Sequence, residues 1–365
     1  MKRKILIVEL WGLGDLTFST PVIAAALDHD DVHLIGKAHA KPLLEPSFPA
    51  LQFITFDAPW TAYTGKYKLW KWHFAALITL IFKLRRENYD IAVSARNDPR
   101  DHLFMWLIGA KKRIGFAQRP LFALIDMSRA LLTSRLDRIK PKQHKVEDWR
   151  QLGGEMNLPG VVTGEPRLDY AKYRTPRVDQ LFAHVTKPVL CLHTGARIAV
   201  RRWPEAYYGR IIARLREHFD FHLVIIPEPL TLPSSLADLA DTYLVELTIG
   251  DLVSVLGRTD LLLCNDSGPG HIAASCGRPV ISIFGPSDPD WFRPWGDEHH
   301  IILRDICPWR PCFDYCKFSE PFCMTKLMPD TVWPEIQQQI NKLIDAGRLP
   351  AALAKNAAQT TGAGV

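Results

Sequence analysis

Two α/β domains, each a parallel sheet with helices on both faces, are predicted by three observations. A strand–loop–helix rhythm opens the chain, a Pro- and charge-rich zone interrupts it over about 159–188, and the same rhythm then restarts. The length of 365 residues is long for one such domain and comfortable for two.

Each element has a local reason. Lys4-Ile5-Leu6-Ile7-Val8 is a short, near-continuous apolar run, as in a strand buried on both faces. The turn Trp11-Gly12-Leu13-Gly14-Asp15 reads as a loop. Thr20-Pro21 then opens a helix to about Leu27, with proline tolerated in the first turn. Strands are expected at 32–36, 52–56 and 90–94, and a helix at 78–88 with basic residues in its last turns. In the second half, strands are expected at 189–193, 221–226, 261–264 and 280–284. Helices are expected at 204–218, 251–256, 268–276 and 332–343. The predicted domains are residues 1–175 and 176–330, followed by a closing helix at 331–348. An Ala-, Gly- and Thr-rich tail, 351–365, reads as disordered.

Composition narrows the function. Hydrophobic residues make up 47% and charged residues 23%, the balance of a soluble globular protein. Residues 1–150 hold 24 Lys and Arg against 15 Asp and Glu, whereas the rest hold 21 against 24. A basic first half suits an anionic partner; a solubilising surface is the plain alternative. The apolar run at 5–8 stops at Glu9, too short for a secretion signal. The apolar stretch 74–82 is about half of the ~20 residues that span a bilayer. Seven cysteines, an odd count, suit a reducing compartment. A cytoplasmic protein that can touch a membrane without crossing it is therefore expected.

The strongest local signal is Cys264-Asn265-Asp266-Ser267-Gly268-Pro269-Gly270-His271: a strand ends, a Gly-rich turn follows and a helix starts. The unpaired N–H groups and dipole of a helix start make an anion site. The competing reading is a helix capped by Asp266 or Ser267 with no ligand. Gly12-Leu13-Gly14-Asp15 is the second signal. It fails as a dinucleotide fingerprint, because Thr17 stands at the third glycine position and no acidic residue ends the second strand. Asp15 sits where open α/β sheets place ligands, and a carboxylate there can serve as a general base. A turn aspartate is the alternative.

Three further stretches stand out. Arg201-Arg202-Trp203-Pro204 precedes a helix, and a guanidinium can bind diphosphate in bidentate fashion. The stretch from Lys66 to Phe74 interleaves cations with aromatics, which suits a membrane interface; an aromatic stripe facing the core is the alternative. Without a nucleic-acid fold signature, no nucleic acid is expected as partner. Cys307, Cys312, Cys316 and Cys323 are spaced C-x4-C-x3-C-x6-C, unlike the paired CxxC of zinc ribbons. Structural or partly disulfide-linked cysteines are favoured over a metal site.

These blocks together resemble the heptosyltransferases, glycosyltransferase family nine. The match runs through residues 5–21, Leu84-Arg85-Arg86-Glu87-Asn88-Tyr89-Asp90 and Lys112-Arg113-Ile114-Gly115-Phe116. It continues through Gly195-Ala196 with 201–204, then 265–271 and Phe284-Gly285-Pro286-Ser287-Asp288-Pro289. The resemblance implies the GT-B fold, two Rossmann-like domains whose sheets face a central cleft. It implies Asp15 as catalytic base, and Arg201, Asp266, Ser267, Gly268 and His271 on the donor diphosphate. Glu228 falls where some members bind donor ribose. On the acceptor side the candidates are Gly14, Arg96, Lys112 and Arg113. The implied donor is ADP-heptose and the implied acceptor a lipid-linked lipopolysaccharide core, met at the cytoplasmic face of the inner membrane. Cofactor and metal are not required. Inverting transfer by direct displacement is expected. Two rivals stay open: an epimerase-like GT-B enzyme, which needs no acceptor, and a non-catalytic sugar-nucleotide-binding protein.

Overall fold

Strands of a parallel sheet covered on both faces must be apolar on both sides, and the chain holds two such sets. The computed structural model describes residues 2–62, 72–117, 126–227, 234–313 and 315–354. The chain divides into two units, Met1–Pro166 and Arg167–Val365.

In the first unit the strands are β1 (Lys4–Val8), β2 (Asp31–Gly36), β3 (Gln52–Thr55), β4 (Ile91–Ser94), β5 (Lys112–Phe116) and β6 (Ser134–Leu136). They pair in parallel in the order β3-β2-β1-β4-β5-β6. The helices are α1 (Leu13–Phe18), α2 (Thr20–Leu27), α3 (Ala40–Leu44), α4 (Phe74–Arg86), α5 (Pro99–Leu107), α6 (Ser128–Leu131) and α7 (Lys145–Glu155).

The second unit repeats the plan. Its strands are β7 (Val189–His193), β8 (His222–Ile226), β9 (Thr242–Tyr243), β10 (Leu261–Asn265), β11 (Val280–Ile283) and β12 (His300–Ile302). Their order is β12-β11-β10-β7-β8-β9, again parallel. The helices are α8 (Pro176–Phe182), α9 (Glu205–His218), α10 (Ile249–Arg258), α11 (Gly268–Ser275), α12 (Pro289–Phe292), α13 (Phe322–Thr325) and α14 (Pro329–Asp345). α14 buries Val332, Trp333, Ile336, Ile340 and Leu343 on one face against α9. Each such side chain contributes about 1.5–3 kcal/mol by leaving water.

Both sheets start in the middle, wind to one edge and then cross to the other. At the reversal, between β1 and β4 and between β7 and β10, successive loops leave to opposite faces and open a crevice at the C-terminal edge. Register fixes what meets there. Ile7 pairs with Val93, so the turns after β1 and β4 leave side by side. Cys264 pairs with His193, so the loops after β7 and β10 do the same.

The structure differs from expectation in four places. Residues 13–15, expected as the end of a loop, begin the short helix α1. The edge strands β6, β9 and β12 have only two or three residues each, too few for a period to show. The units divide at Pro166 and not at 175, because Leu168 N donates to Ser275 O at 2.8 Å and the Tyr170 ring lies where a side chain at Gly257 would stand. The tail is ordered at its start: Leu353 is buried, and its carbonyl accepts from Asp220 N at 2.8 Å.

Candidate functional site

The turn after β1 collects two carboxylates. Trp11 N donates to Glu9 Oε1 at 2.9 Å, and the next amide, Gly12 N, donates to Asp15 Oδ2 at 3.3 Å. Asp15 thus performs the turn role that competes with catalysis, yet it is only half-buried. Glu9 is 1% exposed. Burial first, then the Asp15 charge, pushes its carboxyl up to about 8, against the opposing Trp11 amide and Arg96.

Cations frame this turn. Arg96, carried by the loop after β4, lies 5.3 Å from the Trp11 ring centre. Its guanidinium is buried, and Asp98 and Asp101 hold it at 2.9 and 3.2 Å. Lys145, at the start of α7, stands 5.9 Å from the same ring and pairs with Asp148 at 2.7 Å. His39 Nε2 meets Trp11 O at 3.2 Å. Gly14 is buried, and its carbonyl accepts from Thr17 Oγ1 at 2.7 Å.

Of the expected acceptor-side residues, Gly14 and Arg96 are brought to this edge. Lys112 and Arg113 are not. They begin β5, at the opposite end of the sheet from the Asp15 turn. Lys112 pairs with Glu155 at 2.6 Å, and Arg113 donates to the carbonyls of Leu131 and Ala110, both at 2.7 Å. These are structural ties between elements at the far end of the strand from the Asp15 turn.

In the second unit the turn after β10 is built on Asn265, which is fully buried. Its Oδ1 accepts from Trp203 N at 3.0 Å and from Tyr208 Oη at 2.8 Å, and its Nδ2 donates to Thr194 O at 2.7 Å. One side chain therefore locks the start of α9 and the loop after β7 to this turn. Ser267 precedes α11 with an extended backbone, and no side chain caps the helix. Its hydroxyl leans instead to Asn265 O at 3.2 Å and to His193 Nδ1 at 3.4 Å. The Ser267 hydroxyl therefore does not cap the helix. An eight-residue helix start with no side-chain cap can receive an anion. Gly270 has a packing reason, since a Cβ there would come within 3.1 Å of Cys264 Sγ. His271, in the first turn, is buried.

Charge is balanced beside the turn. Arg201 Nη1 lies 3.1 Å from Asp266 Oδ2, and the Ser287 hydroxyl donates to that same oxygen. Arg202 donates to Ala196 O at 2.8 Å. Burial pushes the His193 imidazole down to about 4, so it meets Ser267 uncharged at neutral pH.

Glu228 and residues 66–71 of the cation–aromatic stretch lie outside the described residues. Cys307, Cys312 and Cys316 are half-buried and Cys323 is buried, all as free thiols. Among the described residues, no group of three or more His, Cys, Asp or Glu is set to hold a metal ion.

Sequence reading missed Glu9, Lys145, His193 and Ser287. Glu9 and His193 did carry a signal: each is a polar residue closing an apolar run at the C-terminal end of a central strand. Ser287 lay in the 284–289 block of the family resemblance without a role of its own, and Lys145, at the start of α7, carried no signal.

Two parallel sheets wound in this order match the GT-B fold of solved glycosyltransferases. The solved family 9 glycosyltransferase of Veillonella parvula superposes with a TM-score of 0.73 at 16% identity, covering 94% of this chain and 98% of that one. An E. coli heptosyltransferase solved with ADP-2-deoxy-2-fluoro heptose gives 0.67 at 17% identity, covering 92% and 99%. Residues 77–322 match the profile of glycosyltransferase family 9 (heptosyltransferase). The chain belongs to that family and is a glycosyltransferase. It is also similar to lipopolysaccharide heptosyltransferase 1 of Pseudomonas aeruginosa, 24% identical over 355 residues, covering 83% of this chain and 94% of the relative.

Proposed function

We propose that the protein transfers heptose from ADP-heptose to a lipopolysaccharide core or related lipid-linked glycan, with inversion and without a metal. The observation that carries this reading is the start of α11, which has no side-chain cap and stands beside the Arg201–Asp266 pair at the strand reversal. It suits a sugar nucleotide's diphosphate, and a relative's solved complex holds an ADP-linked fluoro heptose.

In this mechanism the diphosphate lies against Ser267, Gly268 and His271. Asp15 takes the proton of an acceptor hydroxyl as that oxygen bonds to the anomeric carbon. The bond from that carbon to the diphosphate oxygen breaks, and ADP leaves with the electron pair. The helix start and Arg201 stabilise the charge that develops on the leaving group. Arg96 and Lys145, which stand beside the Trp11 ring, flank the place where the acceptor would dock.

A lipid-linked acceptor places the enzyme at a membrane surface. Among the described residues, no helix is long and apolar enough to cross a membrane. We infer contact through α4, which exposes Phe74, Ile78 and Phe82.

The test is transfer to purified heptose-deficient lipopolysaccharide, offering ADP-, UDP-, GDP- and dTDP-sugars in parallel, with thermal shift as the binding readout. Heptose should appear on the acceptor from the ADP donor alone. Stabilisation by UDP-sugars only, or sugar conversion without acceptor, would overturn the reading and favour the epimerase-like rival.

A further inference from the structure

One buried cation stands outside the mechanism above. The Arg310 side chain is 8% exposed, and among the described residues it pairs with the Asp305 carboxylate at 3.6 Å, which is itself 87% exposed. The guanidinium is instead directed at backbone: Nε donates to Gly285 O, and Nη2 donates to Ser287 O at 3.0 Å. The intervening carbonyl, Pro286 O, accepts from Cys312 N at 2.9 Å and Phe313 N at 3.1 Å. Three consecutive carbonyls just past β11 are thus held by the short segment 310–313. The Phe313 ring anchors that segment by stacking on Trp291 of α12, centroids 5.5 Å apart and planes 2° from parallel.

What this segment holds bears on the donor turn. Ser287 is fully buried, and its hydroxyl donates to Asp266 Oδ2, the oxygen that Arg201 Nη1 meets at 3.1 Å. If the 285–287 backbone rotates, the Ser287 hydroxyl leaves Asp266, and the carboxylate that orients Arg201 loses a partner. A buried carbonyl without a donor is costly, so the loop would move on loss of Arg310.

We propose that Arg310 is a positioning residue for donor binding, acting through the 285–287 carbonyls and Ser287 on the Asp266–Arg201 pair. The inference rests on the reading that the β10–α11 turn takes the donor diphosphate. The experiment measures ADP binding calorimetrically, and donor and acceptor KM, for the full chain and for Arg310→Met, Arg310→Lys, Ser287→Ala and the Arg310→Met/Ser287→Ala double variant.

Arg310→Met should weaken ADP binding about tenfold or more and raise donor KM, with acceptor KM unmoved. Lysine, which keeps the charge and one donor, should recover part of the loss. The double variant should bind no worse than its weaker parent, since both act along one path. ADP binding equal to wild type in Arg310→Met overturns the proposal, as do multiplying losses in the double variant or equal rises in both KM values. If Arg310→Met does not fold, Arg310→Lys and Ser287→Ala decide it: both must weaken ADP binding. Absence of ADP binding by the wild-type chain is a different result, which overturns the donor reading itself.

Discussion

Arg201 Nη1 lies 3.1 Å from Asp266 Oδ2, so the carboxylate nearest the donor turn is neutralised by the cation that the mechanism assigns to phosphate. Removing the cation takes a positive partner from Asp266, which is 4% exposed, and leaves more negative charge beside an anion site. Arg201→Met should therefore raise donor KM about tenfold to a hundredfold, and Asp266→Asn by less. The double variant Arg201→Met/Asp266→Asn should recover part of the single loss, because the repulsion goes with the carboxylate. Steady-state kinetics over a donor titration reads this. Equal losses in all three variants would mean that the pair is only structural.

Asp15 holds Gly12 N at 3.3 Å besides its proposed work as base, so alanine would remove two roles at once. Asparagine separates them, keeping a carbonyl oxygen for the amide while abolishing the base. Asp15→Asn should keep ADP binding and lose transfer by about 10²–10⁴-fold. Asp15→Ala should in addition lose about 1 kcal/mol of stability with the turn contact. Transfer near the wild-type rate in Asp15→Asn would remove Asp15 from the chemistry.

Much of this was legible before the fold. β1, β7, β10 and α11 announce themselves by apolar runs that end in Gly-rich turns, and the Asp15 and Asn265–His271 blocks lie on those turns. Strand order was not legible, because one strand's sequence does not say which neighbour it pairs with. Lys112 and Arg113 were assigned on a family resemblance, which does not say that they sit at the start of a strand and not at its end. The contacts of Arg310 with residues 285–287 were equally hidden, since their meaning lies in backbone carbonyls that no side-chain pattern encodes.

Glu9 gives a pH signature. Its carboxyl is raised from 4.5 to about 8, chiefly by burial and then by Asp15. Between those values the folded chain binds a proton that the unfolded chain has released. The stabilisation is thus complete below about 4.5 and is lost as pH rises through about 8. Glu9→Gln cannot titrate, and its amide oxygen can still accept from Trp11 N. Its Tm relative to wild type should climb between pH 5 and pH 8.5, approaching a gain of roughly 2–4 kcal/mol in stability. The lowered His33 and His102 bend both curves alike and cancel in the difference, whereas Asp101, raised to about 6, acts on Glu9 by charge and cancels only in part. A Tm difference that stays flat with pH would show that Glu9 is ionised in the folded chain.

The α4 helix gives the last prediction. Phe74, Ile78 and Phe82 follow one another at intervals of four, so they share a face, and they are 47%, 51% and 61% exposed. Lys83, Arg85 and Arg86 lie in the last turns. Trp106, half exposed on α5, adds an aromatic beside this end, where Arg85 Nη1 donates to Leu107 O at 3.1 Å. Apolar side chains flanked by cations suit an anionic bilayer interface, where rings enter the acyl boundary and cations stay with the headgroups. The protein should sediment with phosphatidylglycerol vesicles more than with phosphatidylcholine ones, and less at high salt. Replacing all three apolar residues with serine should lower binding to anionic vesicles about tenfold or more while leaving ADP binding intact. Vesicle binding unchanged in that variant would place the contact elsewhere. A wild-type dimer dispersed by the same substitutions, with no vesicle binding in either protein, would show that the face meets a second copy of the chain.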